Sequence, residues 1–106
     1  MADQAAAEFP APTAFEWDEA KSLRNFEKHG IDFDAAAEIF LGPIILHRSD
    51  RADEERWTAL GELEDRLIVV VFTWRGDAMR IISARHARKN EKREYRNQKM
   101  GRPPEG

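Results

Sequence analysis

The sequence predicts an α+β fold, with two N-terminal helices and a C-terminal helix packed on one side of a small antiparallel sheet. Three observations predict it. Apolar residues recur at helical spacing between Asp18 and Phe40. Runs of strand character follow between Ile44 and Arg85. A charged, helix-forming stretch, Ala87–Lys99, comes last.

Phe15 and Trp17 flank Glu16 and end a short leading strand. Asp18 is a good N-cap with Glu19 in the first turn, and Gly30 stands where a helix takes its left-handed terminal residue. The first helix is therefore Asp18–His29, with Ala20, Leu23 and Phe26 as its apolar side and Trp17 placed to staple its start. Asp32 or Asp34 caps a second helix whose stripe is Phe33, Ala36, Ala37 and Phe40; Gly42-Pro43 stops it.

Ile44–His47 is a short strand, followed by a polar loop, Arg48–Glu55. Trp57–Leu63, Leu67–Trp74 and Met79–Arg85 form an antiparallel meander, turning at Glu64-Asp65-Arg66 and Arg75-Gly76-Asp77. Leu67–Trp74 is apolar and β-branched, as suits a central strand. In the last helix Ala87, Glu91 and Tyr95 fall at four-residue spacing. Trp57 and Trp74 read as core rather than as stacking platforms. Residues 1–14 are expected to form a flexible extension, 15–99 a single domain and 100–106 a flexible tail.

Composition narrows the function. The 106 residues carry no cysteine, which excludes disulfides and thiolate metal sites and fits a reducing cytoplasm. No apolar run approaches the roughly 20 residues that spanning a bilayer requires, so no membrane role is expected. Met1–Ala14 has Asp3 and Glu8 but no basic residue, unlike a secretion signal. The net charge of −3 hides a split: residues 1–79 hold 8 basic against 17 acidic residues, and residues 80–106 hold 9 against 3. A basic end on an acidic chain suits a polyanion, or is a solvated charged helix.

There is no phosphate loop, no H-E-x-x-H, no Cys/His cluster and no nucleophile elbow, so neither a cofactor nor a metal is expected. Cations and carboxylates at element ends remain. Cutting RNA without metal needs a base for the 2′-hydroxyl, cations for the phosphorus oxygens and an acid for the leaving oxygen.

Three clusters have suitable chemistry. Lys28-His29 ends the first helix, where it serves a site or merely stabilises the helix dipole. Glu54-Glu55-Arg56 enters a strand; Glu54, Arg56 and Thr58 then share a face, as a site or as an exposed ion pair. Arg80, Arg85 and His86 lead to Glu91 and Tyr95. Strict alternation sends Arg80 and Arg85 to opposite faces unless the strand bends, and Arg85 at the strand end is the better phosphate binder.

Phe15–Gly30, F-E-W-D-E-A-K-S-L-R-N-F-E-K-H-G, resembles the opening of the BrnT toxin family, roughly W-D-x-x-K-x-x-x-N-x-x-K-H-G. Trp17, Asp18, Lys21, Asn25, Lys28, His29 and Gly30 fill that pattern. E-E-R-W-T-A-L-G (Glu54–Gly61) resembles the family's central strand, and Arg80–Tyr95, beginning R-I-I-S-A-R, resembles its ending.

The resemblance implies a RelE-like fold and a growth-arresting ribonuclease acting on cellular RNA. It also implies a partner antitoxin, BrnA, that carries a DNA-binding domain, so operator DNA is met only through the complex. The catalytic candidates are then Lys28, His29, Glu54, Glu55, Arg56 and Arg85. Glu54, Glu55 or His29 would be the base; Lys28, Arg56 and Arg85 would stabilise the phosphorane. Arg80, Arg88, Lys89, Lys92 and Tyr95 would contact RNA. The alternative is a noncatalytic nucleic-acid binder or protein-interaction module built on the basic helix.

Overall fold

The computed structural model describes residue 12, residues 14–51 and residues 53–99. The expected N-terminal extension (apart from Pro12 and Ala14) and the tail at 100–106 lie outside the described residues. The chain runs β1 (Ala14–Glu16), α1 (Glu19–His29), α2 (Phe33–Ala37), a 3₁₀ turn (Glu38–Leu41), β2 (Ile44–Arg48), β3 (Trp57–Leu63), β4 (Arg66–Arg75), β5 (Ala78–His86) and α3 (Lys89–Lys99).

The local signals work as expected. Asp18 caps α1, its carboxylate accepting from Lys21 N at 3.1 Å. Gly30 takes φ 75° and donates to the Phe26 carbonyl, the left-handed ending that favours glycine. Asp32 caps α2 through Ala35 N at 2.8 Å. The second helix is shorter than expected: it tightens into the 3₁₀ turn after Ala37.

The strands form one five-stranded sheet in the order β1-β5-β4-β3-β2. The meander is antiparallel, but β1 pairs with β5 in parallel, so the sheet is mixed. This corrects the all-antiparallel expectation. β1 forms the edge beside β5, and the chain passes from it through α1 and α2 to β2 at the opposite edge, a placement that turn chemistry does not encode.

The sheet has two buried faces of unequal size. On the first, Ile31, Phe33, Ala36 and Ile39 pack against Ala59, Leu63, Ile68, Val70, Phe72, Met79, Ile81 and Ala84. Trp57 and Trp74 border this core. On the second, Ala87 and Tyr95 pack on Leu60 and Val69, flanked by Ile45 and Leu67. The helices are therefore not all on one side: α1 and α2 cover the first face, and α3 lies on the second. The alternation in β4 explains this. Its even residues Ile68, Val70 and Phe72 serve one core and its odd residue Val69 the other, as a central strand buried on both faces must.

The apolar side predicted for α1 is not its buried side. Leu23 and Phe26 are 62% and 52% exposed, whereas Ser22 and Asn25 are buried. The reason lies in β5. Its pairing with β1 spans only Ala78–Arg80, leaving the edge open further along. Asn25 fills the gap: its Nδ2 donates to the Ala84 carbonyl at 2.9 Å and to the Ile31 carbonyl at 2.8 Å, and its Oδ1 accepts from Ala84 N at 3.2 Å. Ser22 Oγ likewise accepts from Phe33 N at 2.9 Å. Polar side chains face inward because buried backbone groups require partners.

Gly61 lies under the 3₁₀ turn. A Cβ there would stand 3.0 Å from Ile39 Cβ and 3.0 Å from Ile44 Cγ2. Ile39 Cβ moves only with its backbone. Gly61→Ala is therefore expected to cost about 1–3 kcal/mol, read as a lower thermal midpoint. An unchanged or raised midpoint would show that the turn yields freely.

Candidate functional site

The second face carries a row of polar side chains beyond α3. Register fixes them: Val69, Val71 and Thr73 of β4 oppose Arg85, Ser83 and Arg80 of β5. The spacing is five residues against four because β5 bulges, with Val71 opposite Ser83 and Phe72 opposite Ile81. The extra residue, Ile82, reverses the alternation. Met79, Ile81 and Ala84 consequently all point into the first core, and Arg80, Ser83 and Arg85 share the second face. Arg80 and Arg85 are thus brought together on one face, contrary to strict parity. They are four β4 residues apart, about 13 Å.

The same face takes in β2 and β3. His47 opposes Thr58, which opposes Val71. Alternation one residue before β3 puts Arg56 beside Thr73, whose Oγ1 donates to the Glu55 carbonyl at 2.7 Å. Arg56 Nε donates to Glu54 Oε1 at 2.8 Å. Glu55 goes to the other side, where Arg48 meets it at 3.4 Å and lies over the Trp57 ring at 5.2 Å. The structure thereby separates the two glutamates: Glu54 belongs with Arg56, and Glu55 with Arg48.

Four side chains of the face have a carboxylate partner. Arg56 has Glu54, Arg80 has Glu16 at 3.0 Å, Arg85 has Glu91 at 2.9 Å, and His47 has Glu94 at 2.9 Å. Such partly exposed pairs are weak individually and exchangeable for another anion. They also hold each guanidinium in a fixed orientation.

Arg85 is the most constrained. Its two terminal nitrogens clasp both Glu91 oxygens at 2.9 Å, and Nη1 also donates to the His86 carbonyl. Glu91 in turn accepts from Arg88 N at 2.7 Å, a capping-box contact at the start of α3. The Arg85 guanidinium holds the Glu91 carboxyl down at about 2, against its ordinary 4.5, with help from the Arg88 N–H. A depressed pKa stabilises the fold fully above the ordinary value and is lost as pH falls through the folded one. Glu91→Gln should therefore be less stable than the parent at neutral pH, by a margin that shrinks between pH 4.5 and about 2. Thermal midpoints across that window test this; a margin independent of pH would contradict it.

Lys28 is exposed and His29 half-buried at the end of α1, beside the first face. The His29 carbonyl meets His86 Nε2 at 3.0 Å. Neither joins the arginines of the second face. Arg88, Lys89 and Lys92 are exposed on α3, which borders that face. Tyr95 is only 3% exposed and its hydroxyl donates to the Pro43 carbonyl at 3.4 Å, so it anchors α3 rather than meeting RNA. Sequence reasoning placed Thr58 on the face of Glu54 and Arg56 and missed His47, Thr73 and Ser83. Period-two alternation in β2 could have flagged His47; nothing in R-I-I-S-A-R announces the bulge.

Among the described residues, no helix is long and apolar enough to cross a membrane. None of the curated proteins is significantly similar in sequence. The family model described as ribonuclease toxin, BrnT, of type II toxin–antitoxin systems matches residues 17–91. A 1.1 Å crystal structure of the Brucella abortus ribonuclease toxin BrnT is similar at 33% identity and a TM-score of 0.57, covering 72% of this chain and 97% of that one. The matched stretch runs from Trp17 to Glu91 and holds all three motifs from the W-D opening to the R-I-I-S-A-R ending, so the chain belongs to the BrnT family of ribonuclease toxins of type II toxin–antitoxin systems.

Proposed function

We propose that the open part of the second sheet face binds single-stranded cellular RNA and cuts it without a metal ion, using the RNA's own 2′-hydroxyl. The observation that carries this is the gathering of Arg56, Arg80 and Arg85 with Thr58, Thr73 and Ser83 on one face, through the bulge at Ile82. Guanidinium groups match phosphate oxygens two at a time, and hydroxyls accept or donate along the sugar edge.

Glu54 is the base. Its carboxylate lies 2.8 Å from Arg56 Nε, so a phosphate drawn to Arg56 brings its neighbouring 2′-hydroxyl close. The 2′-oxygen loses its proton to Glu54 and attacks phosphorus; Arg56 and Arg80 neutralise the added charge. The bond to the 5′-oxygen breaks, and His47, on the same face and 2.9 Å from Glu94, returns a proton to it. The products are a 2′,3′-cyclic phosphate and a 5′-hydroxyl. Arg85 is a positioning residue that joins β5 to α3, while Arg88, Lys89 and Lys92 draw the RNA backbone in. Lys28 and His29 have a helix-ending role in this reading.

The fold is of RelE-like type, and the antitoxin is BrnA-like, meeting operator DNA as part of the complex. The place of action is the cytoplasm. Expressing the chain alone from a tightly controlled promoter tests the reading. Growth arrest with fragmented total RNA, both relieved by Glu54→Gln at equal soluble expression, is the expected result. Normal growth and intact RNA at good soluble expression would overturn it and favour a noncatalytic binder.

A further inference from the structure

The face of the molecule opposite the RNA-cutting one carries an apolar groove. Trp17, Leu23 and Phe26 form its apolar surface, and Glu19, Asp32 and Asp34 rim it; its volume is about 320 Å³. Leu23 and Phe26 lie three residues apart on α1, side by side and more than half exposed. They are free to face outward because Ser22 and Asn25 take the inward positions. Large apolar side chains grouped inside a polar rim mark a protein-interaction surface.

We infer that this α1–α2 groove is where the antitoxin docks, through a helix with apolar residues on one side and lysine or arginine flanking them. Membership of a type II toxin–antitoxin family supplies the class of partner; the inference rests on that membership and not on the RNA-cutting face. The groove itself supplies the chemistry. Its apolar surface takes aliphatic or aromatic anchors at i, i+3 and i+4, the helix-in-groove mode. Three carboxylates on the rim select basic flanks and repel acidic ones.

The same chemistry rejects the other occupants. A second copy docking groove to groove would set carboxylates against carboxylates. Residues 1–13 of this chain hold Asp3 and Glu8 and no basic side chain, so they lack the basic flanks that the rim selects. The basic α3 of another copy has the right charge, but its apolar residue Tyr95 is already buried against its own sheet. The antitoxin is accordingly assigned to the acidic groove rather than to the basic helix, and it leaves the sheet's second face open.

Two synthetic helical peptides test this against the full chain. Both carry leucine at i, i+3, i+4 and i+7; one has lysine flanks, the other glutamate flanks. Calorimetry and backbone amide shifts are followed. The lysine peptide is expected to bind, with shifts confined to α1 and the start of α2, and the glutamate peptide not to bind. Leu23→Ser with Phe26→Ser should weaken binding about tenfold or more. Glu19→Gln with Asp34→Asn should weaken it several-fold and reduce its salt dependence. Neither pair should alter RNA cleavage.

No binding at millimolar lysine peptide, or shifts only on α3 or the second sheet face, would overturn the inference. Self-association of the parent chain that Leu23→Ser with Phe26→Ser abolishes would also overturn it, assigning the groove to a second copy. Loss of RNA cleavage in the parent itself would bear on the nuclease reading alone.

Discussion

Arg80→Ala should lower RNA cleavage by two to three orders of magnitude while the protein stays folded. The magnitude is that of removing one preorganised donor from developing charge, about 3–4 kcal/mol of barrier. Arg80 suits this role better than Arg85. It is held by a single contact, Nη1 to Glu16 at 3.0 Å, whereas Arg85 is clasped by both oxygens of Glu91. A phosphate can displace one oxygen more readily than two. The fold should tolerate the change, since a partly exposed pair contributes under about 1 kcal/mol. Arg80→Lys should recover only part of the rate, because an ammonium group lacks the two-pronged geometry. Cleavage of a defined oligonucleotide, with circular dichroism as the control for folding, measures this. Full activity in folded Arg80→Ala would remove Arg80 from the site.

Asn25→Ala should be the most damaging single truncation on α1. It leaves the Ala84 N–H and the Ala84 and Ile31 carbonyls without the partner that now serves all three. Buried groups left unsatisfied cost about 1–3 kcal/mol each when water cannot replace the partner fully. A total loss of about 3 kcal/mol is expected, a fall on the order of 15 °C in thermal midpoint for a domain of this size. Asn25→Asp should be no better, because it replaces the donor with an oxygen facing two carbonyls. Leu23→Ser, two residues away on the same helix, should change stability by no more than about 0.5 kcal/mol. Denaturant unfolding of the three variants decides the matter. The opposite ranking, with Leu23→Ser severe and Asn25→Ala mild, would mean that the hydrophobic stripe is the buried side after all.

That contrast also shows what the sequence reveals and what it conceals. Strand positions were legible because alternation and turn residues are local. Ile44–Arg48, Trp57–Leu63, Arg66–Arg75 and Ala78–His86 lie within a residue of the expected runs. Both hairpins turn where Glu64-Asp65 and Gly76-Asp77 predict, with Glu64 and Gly76 at φ 58° and 62°. The caps of α1 were legible for the same reason.

What was not legible depends on other parts of the chain. Asn25 turns inward because an edge of β5 is open, and that edge is open because β1 is short; no window around Asn25 contains this. The position of α3 on the second face follows from which residues of β4 remain uncovered by α1 and α2. In the site, the family motif located Glu54-Glu55-Arg56 and Arg80–Arg85, but register divided the two glutamates and the bulge at Ile82 united the two arginines. A bulge formed by Ile-Ile-Ser carries no glycine to announce it. Lys28 and His29 fill the motif equally well, yet the fold sets them beside the other face.

If side chains of the second sheet face cut RNA through the RNA's own 2′-hydroxyl, the products reveal it. The purified chain is given one oligonucleotide, in chelator, as all-RNA and with single 2′-deoxy substitutions. Cleavage in chelator that leaves a 2′,3′-cyclic phosphate and a 5′-hydroxyl is expected. Each cut should be lost when the nucleotide on its 5′ side lacks the 2′-hydroxyl. Cleavage that requires a divalent ion, leaves a 5′-phosphate or proceeds at a deoxy position would contradict it.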